Sequence, residues 1–156
     1  MKAKVDVTEA NFESVAHVLN PVLEDEFVLF VKTRRAHWNI ICWGFSPRYL
    51  FFEDQYTELD DIVDQIAERI RSLGHYPLST PESMLQMTHF AESTTRGGDS
   101  SEFVKELLAD HERLIRNIRE LIAVSANKYK DINTSDFLTG LLRQHEQMAQ
   151  MLRIHQ

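Results

Sequence analysis

One histidine and three acidic residues stand on either side of the junction between two helical patterns. His37 ends the first pattern, and Glu53, Asp64 and Glu68 lie on the second. Imidazole nitrogens and carboxylate oxygens are common ligands of metal ions in proteins. The formal net charge of −7 also favours cations over nucleic acid or anionic membranes, because phosphates are bound by clusters of Lys and Arg that this sequence does not concentrate anywhere.

The direction of the acidic side chains decides whether one chain can form a site from them. Advancing by about 100° per residue from Phe52 keeps the apolar positions of this helix within about 60° of zero. The same count places Glu53, Asp64 and Glu68 near about 100°, 120° and 160°. The acids therefore form a second stripe, turned away from the core. Such a stripe is either solvated surface or one wall of a site completed by another subunit, and His37 is equally a capping or packing residue on spacing alone.

Four long helical patterns carry these residues. They run from about Thr8 to Ile40, from Ser46-Pro47 to Gly74, from about 101 to 127 and from about Thr134 to Ile154. In each pattern apolar residues recur at intervals of three and four, as on the buried face of a bundle helix. No stretch alternates as a β-strand does. The sequence therefore predicts an all-α four-helix bundle that forms a single domain over residues 1–156.

Two segments that contain proline affect how the helices begin and end. Asn20-Pro21 either restarts the first helix as a cap and first-turn proline or kinks a continuous helix. Thr80-Pro81 predicts a short extra helix near residues 81–87, in the connection between the second and third helices, and residues 93–100 are expected to form a loop.

The cysteine count and the lengths of the apolar runs indicate the cellular compartment of the protein. Cys42 is the only cysteine, so neither an internal disulfide nor a zinc site built from several cysteines is expected. The longest purely apolar run is residues 27–31, and the first residues contain no apolar signal region. We therefore expect an intracellular, cytoplasmic protein that does not cross a membrane.

The histidines of this sequence do not show the pattern of a metal centre inside the bundle. Di-iron centres of that kind use Glu-x-x-His on two helices, and none of the 7 histidines has an acidic residue three positions before it. We therefore expect no di-iron centre inside the bundle. His111 and His145 lie on apolar faces and are expected to be buried and hydrogen-bonded.

Longer stretches of the sequence resemble the Dps family, the DNA-binding proteins from starved cells, also called miniferritins. The similar stretches are residues 19–34, HWN at 37–39, Phe45, LFFEDQY at 50–56, VDQIAERIRSLG at 63–74, 110–119 and 136–156. They cover almost the whole chain in the family's order. The resemblance implies a ferritin-like four-helix subunit that assembles as a hollow homododecamer.

By this resemblance, the ferroxidase centres lie at two-fold interfaces. One subunit supplies His37 and Glu53, and its partner supplies Asp64 and Glu68. Such ligands suit Fe(II) and hold Fe(III) more tightly, so the centre favours the oxidised ion. The family implies Fe(II) and hydrogen peroxide as substrates and a ferric mineral as the stored product. Zinc is an alternative occupant of the same ligands.

The sequence departs from the family pattern near the first histidine. Tyr49 stands twelve positions after His37, where the family usually has a second histidine. Tyr49 either ligates iron after oxidation, bonds a bound water or leaves one metal position weak. Residues 40–44 (IICWG) replace a small glycine turn and place Cys42 near the site, as a redox-sensitive thiol, an extra ligand or an inert packed residue.

Two further features concern entry of iron and binding of DNA. Asp131 and Asp136 match the positions where family members line a three-fold pore, and they are equally explained as acids at a helix start. Lys2 and Lys4 form no lysine-rich tail, so weak or absent DNA binding is expected. An alternative function is a structural or DNA-protecting cage whose oxidation centre is impaired at Tyr49.

Overall fold

The computed structural model of this chain describes residues 8–40, 47–78, 80, 82, 88–90 and 100–156, with the side chain of Arg48 excepted. The described residues form four helices and contain no β-strand. The helices are α1 (Glu9–Asn39), α2 (Pro47–Ser72), α3 (Ser100–Asn127) and α4 (Ile132–Ile154). The predicted all-α four-helix bundle is confirmed. The short helix expected near residues 81–87 lies almost wholly outside the described residues.

Local sequence signals set the ends of the first two helices. The Thr8 hydroxyl accepts a hydrogen bond from the backbone N–H of Asn11 and so caps α1. Pro21 lies inside α1, which continues through it as one helix of 31 residues, so the restart at Asn20-Pro21 does not occur. Gly74 follows the end of α2 with a φ of 87°, a left-handed conformation in which a side chain would be strained.

The helices pack as two hairpins. α1 packs mainly against α2, and α3 packs mainly against α4. The largest fully buried side chains are Phe52, Leu19, Leu29, Leu59, Ile62, Ile66, Ile70, Leu107, Leu114, Ile118, Leu138 and Leu141. These come from all four helices and form one core. Among the described residues, none of the helices combines the length and apolar character needed to span a bilayer.

Acidic side chains also enter the protein interior along α1. Asp25 accepts hydrogen bonds from the hydroxyl of Thr88 and from the backbone N–H of His89, and its other oxygen lies 2.9 Å from the His89 ring. The neighbouring Glu24 is 0% exposed, and among the described residues its carboxylate oxygens have no hydrogen-bond partner. Burial, with a smaller effect from the charge of Asp25, raises the pKa of Glu24 from its ordinary value of 4.5 to about 7.

The raised pKa of Glu24 makes stability depend on pH. A carboxyl whose pKa is higher in the folded state favours folding most below pH 4.5 and loses this advantage as the pH rises to about 7. Glu24→Gln removes the cost of ionisation, so we expect it to increase the free energy of unfolding at pH 8 by on the order of 2 to 3 kcal/mol, with little change near pH 4.

Thermal unfolding at both pH values measures this difference. Glu13→Gln is the matched control, because Glu13 is exposed on the same helix. A gain of equal size at pH 4 and pH 8 would show that ionisation of Glu24 is not the cause.

Candidate metal centre

His37 is oriented by the backbone of the following helix. It lies in the last turn of α1 and is 6% exposed. Its Nδ1 lies 3.2 Å from the backbone carbonyl oxygen of Tyr49. A carbonyl oxygen can only accept, so Nδ1 carries a hydrogen, and in the neutral ring Nε2 then has the lone pair. This is the tautomer that an imidazole needs in order to bind a metal through Nε2.

Two tyrosines of α2 surround the His37 ring. The ring of Tyr49 is tilted against it with the centroids 3.9 Å apart, and the ring of Tyr56 meets it edge-on at 5.2 Å. Tyr49, which stands where the family usually has a second histidine, therefore contacts His37, the first histidine of that pattern. These contacts restrict the imidazole to one orientation beside the first turns of α2.

The acidic residues divide into two groups along α2. Glu53 lies one helical turn after Tyr49 and is half-buried, whereas Asp64 and Glu68 are exposed. This exposure agrees with a stripe turned away from the core. At about 1.5 Å of rise per residue, Asp64 lies about 16 Å and Glu68 about 22 Å beyond Glu53 along the helix axis.

One subunit therefore cannot bring both groups of acids to the same ion. Over the part of the chain that the structure describes, no group of three or more His, Cys, Asp or Glu side chains is arranged to hold a metal ion. A partner subunit must bring the two halves together if they share an ion.

The side chain of Arg34 packs against aromatic rings beside His37. The guanidinium of Arg34 lies over three aromatic rings, at 5.8 Å from Phe30, 5.5 Å from Trp38 and 5.4 Å from Tyr56. Trp38 is nevertheless 68% exposed. A large apolar side chain next to His37 is thus available to another molecule, and it has only partial packing within its own subunit.

The two candidate pore residues occupy different environments. Asp131 is 2% exposed and caps α4: its Oδ1 accepts from the backbone N–H of Thr134, and Arg69 Nη2 lies 3.2 Å from its Oδ2. Asp136 is exposed. The helix-start role is therefore what the subunit shows for Asp131, and pore lining by either residue stays a prediction. Cys42 lies outside the described residues.

The sequence analysis did not predict the burial of the acidic residues of α1, among which Glu26 contacts a buried histidine. Glu26 is 0% exposed, and its Oε1 lies 2.7 Å from Nε2 of His145. His145 and His111 are also 0% exposed, and their Nδ1 atoms lie 3.0 Å apart, which confirms that both are buried and hydrogen-bonded. The signal for Glu26 was its position between Val22 and Leu29, at the spacing of a buried helical face.

Comparison with known proteins agrees with the fold and with the order of the motifs. The sequence model of the family described as "Ferritin-like domain" matches residues 16–156. The DNA protection during starvation protein of Helicobacter pylori is 31% identical over 138 residues, covering 88% of this chain and 95% of the relative. The chain belongs to the Dps family of ferritin-like proteins.

Other Dps-family and related proteins match over nearly the full length. An uncharacterized low temperature-induced protein of Nostoc sp. strain PCC 7120 is 36% identical over 152 residues, covering 97% of this chain and 85% of the relative. The crystal structure of a Dps protein from Vibrio cholerae O1 has a TM-score of 0.88 and 25% identity, covering 98% of this chain and 95% of that one. That protein is described as a member of a broad superfamily of ferritin-like diiron-carboxylate proteins.

The buried cap of α4 leads to a prediction about stability. Asp131→Ala removes the acceptor of the Thr134 N–H and leaves Arg69 without its buried partner, so we expect a loss of about 2 to 3 kcal/mol in the free energy of unfolding. Asp136→Ala, at an exposed position of the same helix, should change it by less than about 0.5 kcal/mol. Chemical denaturation compares the variants, and equal losses for both would contradict a specific role of Asp131 in capping.

Proposed function

We propose that this Dps-family chain is an iron-storing miniferritin. Each shell of twelve copies oxidises Fe(II) at centres shared between two subunits and keeps the ferric product in its hollow interior. The observation that carries the proposal is the division of the ligands. His37, oriented through its Nδ1, and Glu53 lie at one end of α2, Asp64 and Glu68 lie toward the other, and the acids lie off the core.

An antiparallel pair of α2 helices satisfies this division. If a two-fold axis passes near residue 60, Glu53 of one subunit faces Asp64 and Glu68 of the other, and two equivalent centres form. Trp38 and Arg34 lie at the end where the partner would pack. The exposed acidic stripe then becomes the walls of two sites, and the negative charge of each wall attracts Fe(II).

The chemistry follows from the ligand types. His37 Nε2 and the carboxylates bind Fe(II), and the anionic oxygens bind Fe(III) more tightly. In the proposed reaction two Fe(II) ions each give one electron to hydrogen peroxide, its O–O bond breaks, and two Fe(III) ions and two hydroxide ions form. The protein then stores the iron and removes peroxide in one step. Zinc would occupy the same ligands without a redox reaction.

Tyr49 supports a second candidate function. A protonated phenol is a poor ligand for Fe(II), so a centre with Tyr49 in place of a histidine could have lost its activity. The chain would then serve as a structural or DNA-protecting cage, and the relative from Helicobacter pylori is named a DNA protection during starvation protein. The net charge of −7 per chain disfavours contact with DNA phosphates, and we therefore place weak or no DNA binding within the leading proposal. A cytoplasmic location fits the single cysteine.

Oxidation by peroxide after anaerobic loading tests the activity. The purified shell receives Fe(II), then stoichiometric hydrogen peroxide, and absorbance follows the ferric product. We expect the wild type to oxidise iron much faster than buffer and to keep the mineral soluble. Glu53→Gln should slow the reaction by about tenfold or more, because it removes an anionic ligand. Asp54→Asn is the matched control on the adjacent exposed position of α2 and should react as the wild type does.

The role of Tyr49 is decided by the same assay on Tyr49→His. Equal rates for this variant and the wild type would show that the tyrosine is tolerated or used. A wild type no faster than buffer, with activity recovered in Tyr49→His, would overturn the leading proposal in favour of the impaired cage.

Mixed shells test whether two subunits share each centre. Glu53→Gln and the double variant Asp64→Asn with Glu68→Gln should each be slow alone. Refolded together at equal amounts, they should regain about a quarter of the wild-type activity, because half of the two-fold pairs are mixed and each mixed pair has one intact centre. No recovery in shells shown to contain both chains would contradict the shared centre.

A further inference from the structure

Three titratable side chains form a line through the core of the bundle. Glu26 comes from α1, His145 from α4 and His111 from α3, and each is 0% exposed. His145 stands in the middle. Its Nε2 lies 2.7 Å from Glu26 Oε1, and its Nδ1 lies 3.0 Å from Nδ1 of His111. We refer to these three residues as the core triad.

The core triad is incompletely satisfied by the rest of the protein. Within the described residues, His111 Nε2, His145 Nε2 and both oxygens of Glu26 have no aligned hydrogen-bond partner, although His145 Nε2 lies 2.7 Å from Glu26 Oε1. An ionised carboxylate without a compensating positive charge is strongly unfavourable in such a place. The core triad therefore requires a cation.

The shape of the core triad distinguishes a proton from a metal ion. The two nitrogens of an imidazole point away from opposite sides of the ring, so Glu26 and His111 approach His145 from opposite sides. An ion bound to one nitrogen of His145 cannot also reach the ligand at the other. The arrangement is a linear chain of donors and acceptors, in agreement with the lack of a convergent metal site among the described residues.

Counting hydrogens shows where the proton enters. One hydrogen is needed between the two Nδ1 atoms and one between His145 Nε2 and Glu26. With only these two hydrogens the core triad has a net charge of −1. A third hydrogen on His111 Nε2, with the Nδ1 hydrogen passing to His145, makes His145 an imidazolium between neutral His111 and anionic Glu26, and the net charge becomes zero.

We propose that the core triad is a buried proton-binding site, in which His111 Nε2 accepts one exchangeable proton and the resulting positive charge resides on His145 beside Glu26. The proton holds α1, α3 and α4 together. Loss of this proton would leave an unbalanced negative charge in the core and weaken the contact between α1 and α4.

The surrounding groups agree with a positive charge on His145. The charged or titratable groups that face it from the described elements are Glu26 on α1, Glu58 on α2 and His111 on α3. Burial raises the pKa of Glu58, and the charge of His145 opposes that rise. Burial, followed by the charge of His145, lowers the pKa of His111 well below its ordinary value, so His111 is the neutral member of the pair.

Neutron diffraction from crystals of the full chain at pH 7 observes the hydrogens directly. The proposal expects hydrogen on both nitrogens of His145 and on Nε2 of His111, with none on Glu26. A single hydrogen on His145, or a metal ion between the side chains, would overturn it.

Proton release on unfolding provides a second test. At pH 8 unfolded histidine and glutamate hold no extra proton. Unfolding the wild type with guanidinium in weakly buffered dye solution should therefore release one more proton per chain than unfolding the double variant Glu26→Gln with His145→Gln. The matched control is Glu13→Gln with His17→Gln, because both residues are exposed on α1, and it should release as many protons as the wild type. Equal release from all three chains would contradict the proposal, and the neutron experiment decides the matter if the core variant does not fold.

Discussion

A straight helix fixes the distance between its own residues, and this constraint on α2 determines how the proposed iron centre must be built. No rotamer change can move Glu53 next to Asp64 across about 16 Å of helix axis. The acids are useful as a set only when a second helix of the same kind lies antiparallel to the first. In the proposed assembly, the acids of the stripe that are exposed in the subunit would find their partners on another copy of the chain. The proposed interface would then bury Trp38 and complete the ligands together.

Inside the bundle, several buried or half-buried charges are paired with opposite charges on other helices. Lys32 on α1 pairs with Glu106 and Asp110 on α3. Arg69 on α2 pairs with Asp131 at the start of α4. These contacts join helices that are separated in the sequence, and removing one partner leaves the other charge buried without compensation. The interior polar groups thus help to select one packing of the bundle while the apolar side chains provide most of the burial.

The sequence predicted the helices well and the interior polar contacts poorly, for physical reasons. Intervals of three and four between apolar residues are a local property, so the four helices and the outward direction of Asp64 could be found without a structure. Pro21 remained undecided because its missing N–H is tolerated or not according to the packing around it. Glu26 was missed because its burial is tied to a contact with His145, which lies 119 positions later in the chain. The pairing of Asp131 with Arg69 depends in the same way on distant residues.

The proposed interface ligands and the core triad are suited to different cations by the arrangement of their side chains. Ligands at an interface can converge on an ion from several directions, because each subunit approaches from its own side, and a divalent metal ion needs such convergence. In the core triad, side chains from three helices contact one another in a row and alternate as donor and acceptor. A proton requires only two neighbours, so it fits where a metal ion does not. The charge balance demands a cation in both places, and the directions of the side chains decide which one each place can hold.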